Sequence, residues 1–299
     1  MKVLKSYGNG IKEATLRPKM IFVLWLINFL FASVIYFLVF GLLSDVIGKR
    51  AIADSLLKKF DYNVLFELLA HSGESIKTIF SVALFLIFIY FLISIFLHGG
   101  ILFSLIHPPK LNDVENKKGR FAQIFFQGAG KFFGRFFRLF IYSLILWVVF
   151  IIINILLNLL GRVFTADGSN EQLGFYLVWV RIGIGLFLLF LIRMILDYTR
   201  IKIVTEDSRL VFRSLFKTIK FVFQKFGRTL ALYYLLLVSA IILFGIYWVL
   251  KSIIPTYSLL TILTAFIVGQ LFIASRGWIK IAFQAAQLKF FSLEISKAD

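Results

Sequence analysis

The chain has 299 residues, of which 60% are apolar and only 16% are charged, against about 45–50% and about 25% in soluble domains. This composition excludes a water-soluble fold for most of the chain and indicates a protein that lies in a lipid bilayer. The net charge of +18 predicts an anionic partner, which on so apolar a chain is the anionic lipid of the cytoplasmic leaflet and not nucleic acid.

Six apolar segments reach the length of about 20 residues that a helix needs to cross a bilayer core. In chain order they are 20–43, 79–106, 139–160, 174–196, 229–250 and 257–279. The first follows a basic stretch, but it is too long for a cleaved secretory signal and no small-residue cleavage site follows it. The sequence therefore predicts an all-α polytopic membrane protein with about six transmembrane helices.

The segments between the predicted spans alternate in charge. The N-terminus, 107–138, 193–228 and the stretch from 276 onward hold 25 of the 33 basic residues and eight of the 15 acidic ones. In the other gaps, 44–78, 161–173 and 251–256, basic and acidic residues cancel. Because Lys and Arg accumulate in cytoplasmic loops, both termini are predicted to be cytoplasmic. We expect short amphipathic helices in 44–78 and a polar turn in 161–173, both exported.

Two of the basic segments have the periodicity of amphipathic helices. In 121–138 a polar stripe lies opposite Phe121, Phe125, Phe132 and Phe136, and it consists of Gln123, Gln127, Lys131, Arg135 and Arg138. In 207–228 the apolar side is Val211, Leu215, Ile219, Val222 and Phe226, and the polar stripe is Arg209, Arg213, Lys217, Lys220, Gln224 and Arg228. We expect both helices at the cytoplasmic interface, with their cations near lipid phosphates and their apolar faces in the acyl boundary or on the bundle. Thr205 or Asp207 is a candidate cap for the second helix.

Both amphipathic segments enter the next span in the same register, through Phe133-Gly134-Arg135 and Phe226-Gly227-Arg228. A degenerate third copy is expected at the start of the chain, around Tyr7, Ile11 and Ala14. The pattern predicts one membrane domain over 1–299, built from units 1–107, 108–204 and 205–299, each with an interfacial helix and two spanning helices. The alternative is a chance match, since Phe and Arg are abundant in this chain.

The sequence offers no recognisable reactive centre. It has no Cys, and its three His residues, His71, His98 and His107, do not have the spacing of metal ligands. No Asp or Glu lies in the central part of a predicted span, so we expect no catalytic residue, no metal and no cofactor. Among the uncharged polar residues at membrane depth, Asn28, Asn154 and Gln270 are expected to hydrogen-bond between helices.

Charged residues near or inside the spans define two further candidate positions. Arg181 lies within the fourth span, where it is expected either to reach outward to the interface or to face the bundle and attract an anionic group. Arg193, Asp197 and Arg200 follow one another at helical spacings, which predicts a local ion pair or a docking site for an interfacial helix.

Three short stretches carry a resemblance to a known group of proteins: Gly99-Gly100 ahead of Ile101-Leu102, the run Phe133-Gly134-Arg135-Phe136-Phe137-Arg138-Leu139, and Asp197-Tyr198-Thr199-Arg200-Ile201 followed by Glu206-Asp207. Through them the chain resembles bacterial inner-membrane proteins similar to the six-helix membrane domain fused to some glycerophosphodiester phosphodiesterases. The resemblance implies a multi-pass protein of the bacterial cytoplasmic membrane. It does not imply phosphodiesterase activity, because no soluble stretch here is long enough for that domain.

These observations predict a non-enzymatic membrane protein that binds lipid and acts as a scaffold or accessory component in membrane transport or envelope assembly, with another membrane protein as a further partner. The alternative is a transporter or channel for a lipid or small amphiphile, with a polar path around Asn28, Asn154, Arg181 and Gln270.

Overall fold

The computed structural model describes residues 2–47, 73–107, 117–164, 171–255 and 258–295. Most of the gap 44–78, which is predicted to be exported and includes His71, lies outside the described residues, as does the centre of the gap 161–173. The secondary structure of the described part is helical. Its helices are α1 (Lys2–Thr15), α2 (Pro18–Ile47), α3 (Gly73–Ile106), α4 (Lys117–Phe164), α5 (Glu171–Thr205), α6 (Val211–Gln224), α7 (Phe226–Ile253) and α8 (Leu259–Ile295).

Six of these helices, α2, α3, α4, α5, α7 and α8, are long and apolar enough to cross a membrane. These helices expose many Phe, Leu, Ile and Val side chains. Apolar surfaces of this extent are unfavourable in water, so they indicate contact with lipid. The prediction of an all-α polytopic fold with six spans is therefore confirmed.

The amphipathic segment 121–138 differs from the prediction in one respect, because it is not a separate helix. It forms the first part of α4, which runs for 48 residues without interruption. No Pro interrupts this stretch, so the backbone hydrogen bonds continue into the span. A helix of this length extends about 72 Å, far more than the ~30 Å hydrocarbon core, which places the amphipathic part outside that core unless α4 is strongly tilted.

The predicted cap of the second amphipathic helix is wrong. Helix α6 begins at Val211, and its N-cap Leu210 makes no side-chain capping hydrogen bond. Thr205 instead ends α5, with its hydroxyl donating to the Ile201 carbonyl at 2.8 Å. Asp207 lies in the turn between the two helices, where its carboxylate binds cations of α4.

The described chain divides into two compact units, one of residues 1–18 with 95–299 and one of residues 19–94. The smaller unit contains α2 and most of α3. Within it, the Tyr90 hydroxyl donates to Asn28 Oδ1 at 2.8 Å, and the Tyr90 ring contacts Phe31. Asn28 also donates to the Leu24 carbonyl, so this predicted helix-pairing residue links the two helices of the unit.

In the larger unit, three amphipathic segments each pack on the C-terminal part of a spanning helix. The start of α4 packs on α3, where a Cβ at Gly128 would lie 2.3 Å from Phe103 Cβ. Helix α6 packs on α5, with the Tyr198 and Phe221 rings 5.7 Å apart. Helix α1 packs on α8, where Gly10 faces Ala286. The three pairings are alike in form, while the repeat boundaries remain a prediction.

Candidate functional site

A cavity of about 860 Å³ lies among α3, α4, α5, α7 and α8 within the larger unit. The residues that line it change from apolar to charged along α5. Leu186 and Phe190 are apolar, and Arg193, Asp197 and Arg200 follow toward the C-terminal end of the helix. These residues recur at spacings of three and four because those positions share one face of an α-helix. The cavity therefore has an apolar end and a polar end.

Helix α8 supplies the other side with the same gradient. Phe272 lies at the apolar end, and Arg276, Lys280, Gln284 and Gln287 follow at spacings of four, four and three. The two helices thus place their polar residues at the same end, which is the cytoplasmic end under the predicted topology.

Positive charge dominates the polar end. Four cations, Arg193, Arg200, Arg276 and Lys280, line the cavity together with one carboxylate, Asp197, among the described residues. That carboxylate is already engaged, because Arg200 Nη1 donates to Asp197 Oδ1 at 2.8 Å. No carboxylate of the described residues forms an ion pair with the other three cations. This excess of positive charge attracts an anion.

Two buried amides at the polar end carry atoms without hydrogen-bond partners. The exposed fraction is 7% for Gln284 and 1% for Gln287. Gln284 Oε1 and both polar atoms of the Gln287 amide have no hydrogen-bond partner among the described residues. Buried side-chain polar atoms in folded proteins are hydrogen-bonded in the large majority of cases, so these three atoms are available to a bound molecule.

Three polar residues reach the cavity from comparable positions of three spanning helices. Each of them lies two positions before a small residue that is buried. The pairs are His98 and Gly100, Asp197 and Thr199, and Gln284 and Ala286. Gly100 packs against Phe125 of α4, and Ala286 packs against Gly10 of α1. The helix pairs described above thus hold these polar side chains at the wall of the cavity.

A second charged cluster ties α4 to the turn between α5 and α6. Asp207 accepts from Arg135 Nη1 at 2.6 Å and from Lys131 Nζ at 2.9 Å. Its φ of 47° is in the left-handed region, which Asp tolerates better than most residues. The hydrogen bonds from Lys131 and then Arg135 lower the pKa of Asp207, so the carboxylate stays charged to lower pH than a free one. This cluster has a structural role, because its ion pairs link α4 to the turn between α5 and α6.

A third cluster centres on Glu294 near the end of α8. Its side chain is only 4% exposed and binds Lys2 of α1 at 2.8 Å. Arg228 of α7 lies 3.4 Å away and Lys225, just before α7, lies 3.6 Å away. A nearly buried carboxylate among three cations links the ends of three helices, so this cluster also has a structural role.

The predicted contact residues fall into three groups. Lys131 and Arg135 pair with Asp207, and Arg228 pairs with Glu294. The remaining basic residues of the two predicted stripes are exposed, namely Arg138, Arg209, Arg213, Lys217 and Lys220. Contact of these cations with lipid headgroups remains a prediction, and their exposure is compatible with it.

The residues of the predicted polar path do not line the cavity. Arg181 Nη1 donates to Asn158 Oδ1 at 2.6 Å, which joins α5 to α4. Asn154 donates to the Phe150 carbonyl, and its Oδ1 lies against Gly185. Arg181, Asn154 and Gln270 belong to the same unit as the cavity but are not part of its wall. The lining residues Arg276, Lys280, Gln284 and Gln287 were not predicted, although their shared helical stripe is visible in the sequence.

Six helices long and apolar enough to cross a membrane define this chain as a multi-pass integral membrane protein, and its larger unit contains a cavity with one polar end. No family model, no curated protein and no solved structure matches the chain. The resemblance to the membrane domain of fused phosphodiesterases therefore remains a prediction.

Proposed function

We propose that this protein binds an anionic membrane lipid in the cavity among α3, α4, α5, α7 and α8. The observation that carries the proposal is the gradient of the lining, from Leu186 and Phe272 at one end to Arg193, Arg276 and Lys280 at the other. A lipid has the same gradient, with acyl chains followed by a charged headgroup. The volume of about 860 Å³ lies in the upper part of the range of small-molecule pockets, about 300–1,000 Å³.

The protein that binds this lipid has a non-enzymatic role, as a scaffold or accessory component of membrane transport or envelope assembly. This assignment rests on the chemistry of the lining, in which cations and amides bind and orient an anion. The exposed cations of α6, such as Arg213 and Lys217, add a second surface for anionic headgroups. This surface lies outside the cavity, so the two modes of lipid binding are separable by mutation.

A transporter for an amphiphile is the second candidate, and the length of the cavity favours it. The lining residues of α5 extend from Leu186 to Arg200. Such a stretch of helix is about 21 Å long, against a bilayer core that is ~30 Å thick. A cavity of this depth allows a headgroup to enter well below the membrane surface, which is a step that lipid transport requires.

Binding of a lipid with a phosphate headgroup to the purified protein tests the proposal. The double variant Arg193→Gln/Arg276→Gln removes two cations of the cavity, each worth on the order of 1 kcal/mol toward an anionic lipid. We expect the Kd for phosphatidylglycerol, measured by native mass spectrometry, to rise about 30-fold.

The matched control is Arg213→Gln/Lys217→Gln, which removes the same number of charges from the exposed face of α6. It should weaken adsorption to anionic vesicles and leave the stoichiometric lipid complex intact. Equal effects of the two double variants on that complex would contradict a lipid site in the cavity. A transport role is tested separately by the movement of a fluorescent anionic lipid between the leaflets of proteoliposomes, which Arg193→Gln/Arg276→Gln should slow.

A further inference from the structure

The buried amides of the cavity restrict the chemistry of its ligand. Gln287 presents one unpartnered donor and one unpartnered acceptor, and Gln284 presents an unpartnered acceptor. A fully ionised phosphate offers only acceptors, so it can satisfy Nε2 of Gln287 but neither of the two amide oxygens. The ligand that fits must therefore also carry hydrogen-bond donors.

The charges of the cavity decide which donors those are. An ammonium group is a strong donor, but here it would meet four cations and one carboxylate that Arg200 already binds. A hydroxyl donates without carrying charge and can accept in return. Neutral hydroxyl donors therefore fit the two amide oxygens better than the ammonium of an aminophospholipid does.

The order of residues along α8 places these contacts side by side. Arg276 and Lys280 precede Gln284 and Gln287 on the same face, and neighbouring members of the stripe are about 5–6 Å apart at Cβ. Guanidinium groups match phosphate oxygens with a planar fork of donors. A phosphate beside the two cations would thus have its ester substituent one helical turn away, beside the amides.

We propose that the cavity selects a phospholipid whose headgroup is a phosphate ester with free hydroxyl groups. The proposal rests on the proposed function and adds to it a headgroup class. Arg193, Arg276 and Lys280 hold the phosphate, and Gln284 and Gln287 accept from and donate to the hydroxyls. The apolar part of the cavity, near Leu186 and Phe272, takes the acyl chains.

The test compares lipids with identical acyl chains on the full-length protein by native mass spectrometry. Phosphatidylglycerol and phosphatidylinositol should bind more tightly than phosphatidic acid, phosphatidylserine and phosphatidylcholine. A net hydrogen bond changes affinity by about 2- to 12-fold, so the preference for a hydroxyl-bearing headgroup over phosphatidic acid should fall in that range for each bond formed.

The variant Gln284→Met/Gln287→Met removes the amide groups and nearly keeps the side-chain volume. It should bind phosphatidic acid as the wild type does and lose the preference for phosphatidylglycerol and phosphatidylinositol. Because it also removes buried atoms without partners, its unfolding temperature in the absence of lipid should be equal to or above that of the wild type. This second measurement shows that the variant is folded.

The possible outcomes separate the two proposals. Equal affinity of the wild type for phosphatidic acid and for the hydroxyl-bearing lipids overturns the headgroup assignment and leaves the lipid site standing. Unchanged anionic-lipid affinity in Arg193→Gln/Arg276→Gln overturns the proposed function itself. A final competition experiment adds soluble inositol phosphate to the lipid complex. If it displaces the lipid at a concentration equal to the lipid's own Kd, the ligand of the cavity is a free phosphate ester and not a lipid.

Discussion

The contact between α1 and α8 allows a stability test with a control on the same helix. Ser6, Gly10 and Ala14 form the buried face of α1. A Cβ at Gly10 would lie 2.5 Å from Ala286 Cβ, 2.7 Å from Ala286 N and 2.8 Å from the Ala282 carbonyl oxygen. Two of these atoms belong to the backbone of α8, so no side-chain rotation relieves the overlap. Gly10→Ala should therefore push α1 away from α8.

The size of the effect follows from these distances. Carbon atoms pack at about 3.5–4.0 Å, so the helices must separate by about 1 Å. Overpacking of this kind costs about 1–3 kcal/mol. A change of 1 kcal/mol shifts Tm by roughly 2–4 °C in domains of this order of size, which predicts a fall of about 2–12 °C. Tryptophan fluorescence during heating of the detergent-solubilised protein measures the shift.

Gly8 supplies the control, because a Cβ at that position would meet nothing within 4 Å. Ala is favoured over Gly inside a helix by about 0.5–1 kcal/mol, so Gly8→Ala should leave Tm unchanged or raise it. Equal Tm values for Gly8→Ala and Gly10→Ala would refute the close approach of α1 and α8.

Three further predictions concern topology and charge. A Cys at Ser169 should react with an impermeant thiol reagent applied to intact spheroplasts while a Cys at Asn116 does not, and the reverse pattern would overturn the predicted orientation. Because two cations lower the pKa of Asp207, its contribution to stability is complete above about pH 4, near the unfolded-state pKa, and is lost as pH falls through the lowered value. Thermal unfolding at a series of pH values should therefore show a difference in Tm between wild type and Asp207→Asn that is constant near neutral pH and becomes smaller in acid. A difference in Tm that does not depend on pH would contradict the ion pairs. Arg181→Met should leave lipid affinity at the cavity unchanged, since Arg181 does not line it, and a loss equal to that of the cavity variants would contradict this placement.

The spans were predictable because they depend on a local property, a run of apolar residues of sufficient length. The residues at which the helices end could not be predicted in this way. The last span was predicted to end near 279, whereas α8 continues to Ile295 with Phe290 and Phe291 buried. The partner of this extension is α1, which lies at the other end of the sequence. No local pattern indicates a contact over that separation.

The cavity was predictable only in part. The helical spacing of Arg193, Asp197 and Arg200 drew attention to these residues as an ion pair or a docking site, because charged residues near a span are conspicuous, but it did not indicate a cavity. Gln284 and Gln287 carry no charge and follow the apolar run, so they have the composition of an ordinary polar stretch beyond a span. Their importance depends on burial and on the absence of partners among the described residues, and both are properties of the tertiary structure.

The pairing of α1 with α8 also sets an order of events during synthesis. Lys2 and its partner Glu294 are 292 positions apart in the chain. At a synthesis rate of about 5–20 residues per second, the first helix is complete roughly 15–60 s before the last one exists. During that interval the small-residue face around Gly10 has no α8 to cover it. The contact between the two helices therefore forms only after the last helix has been made, and α1 is without this partner throughout the synthesis of the segments between them.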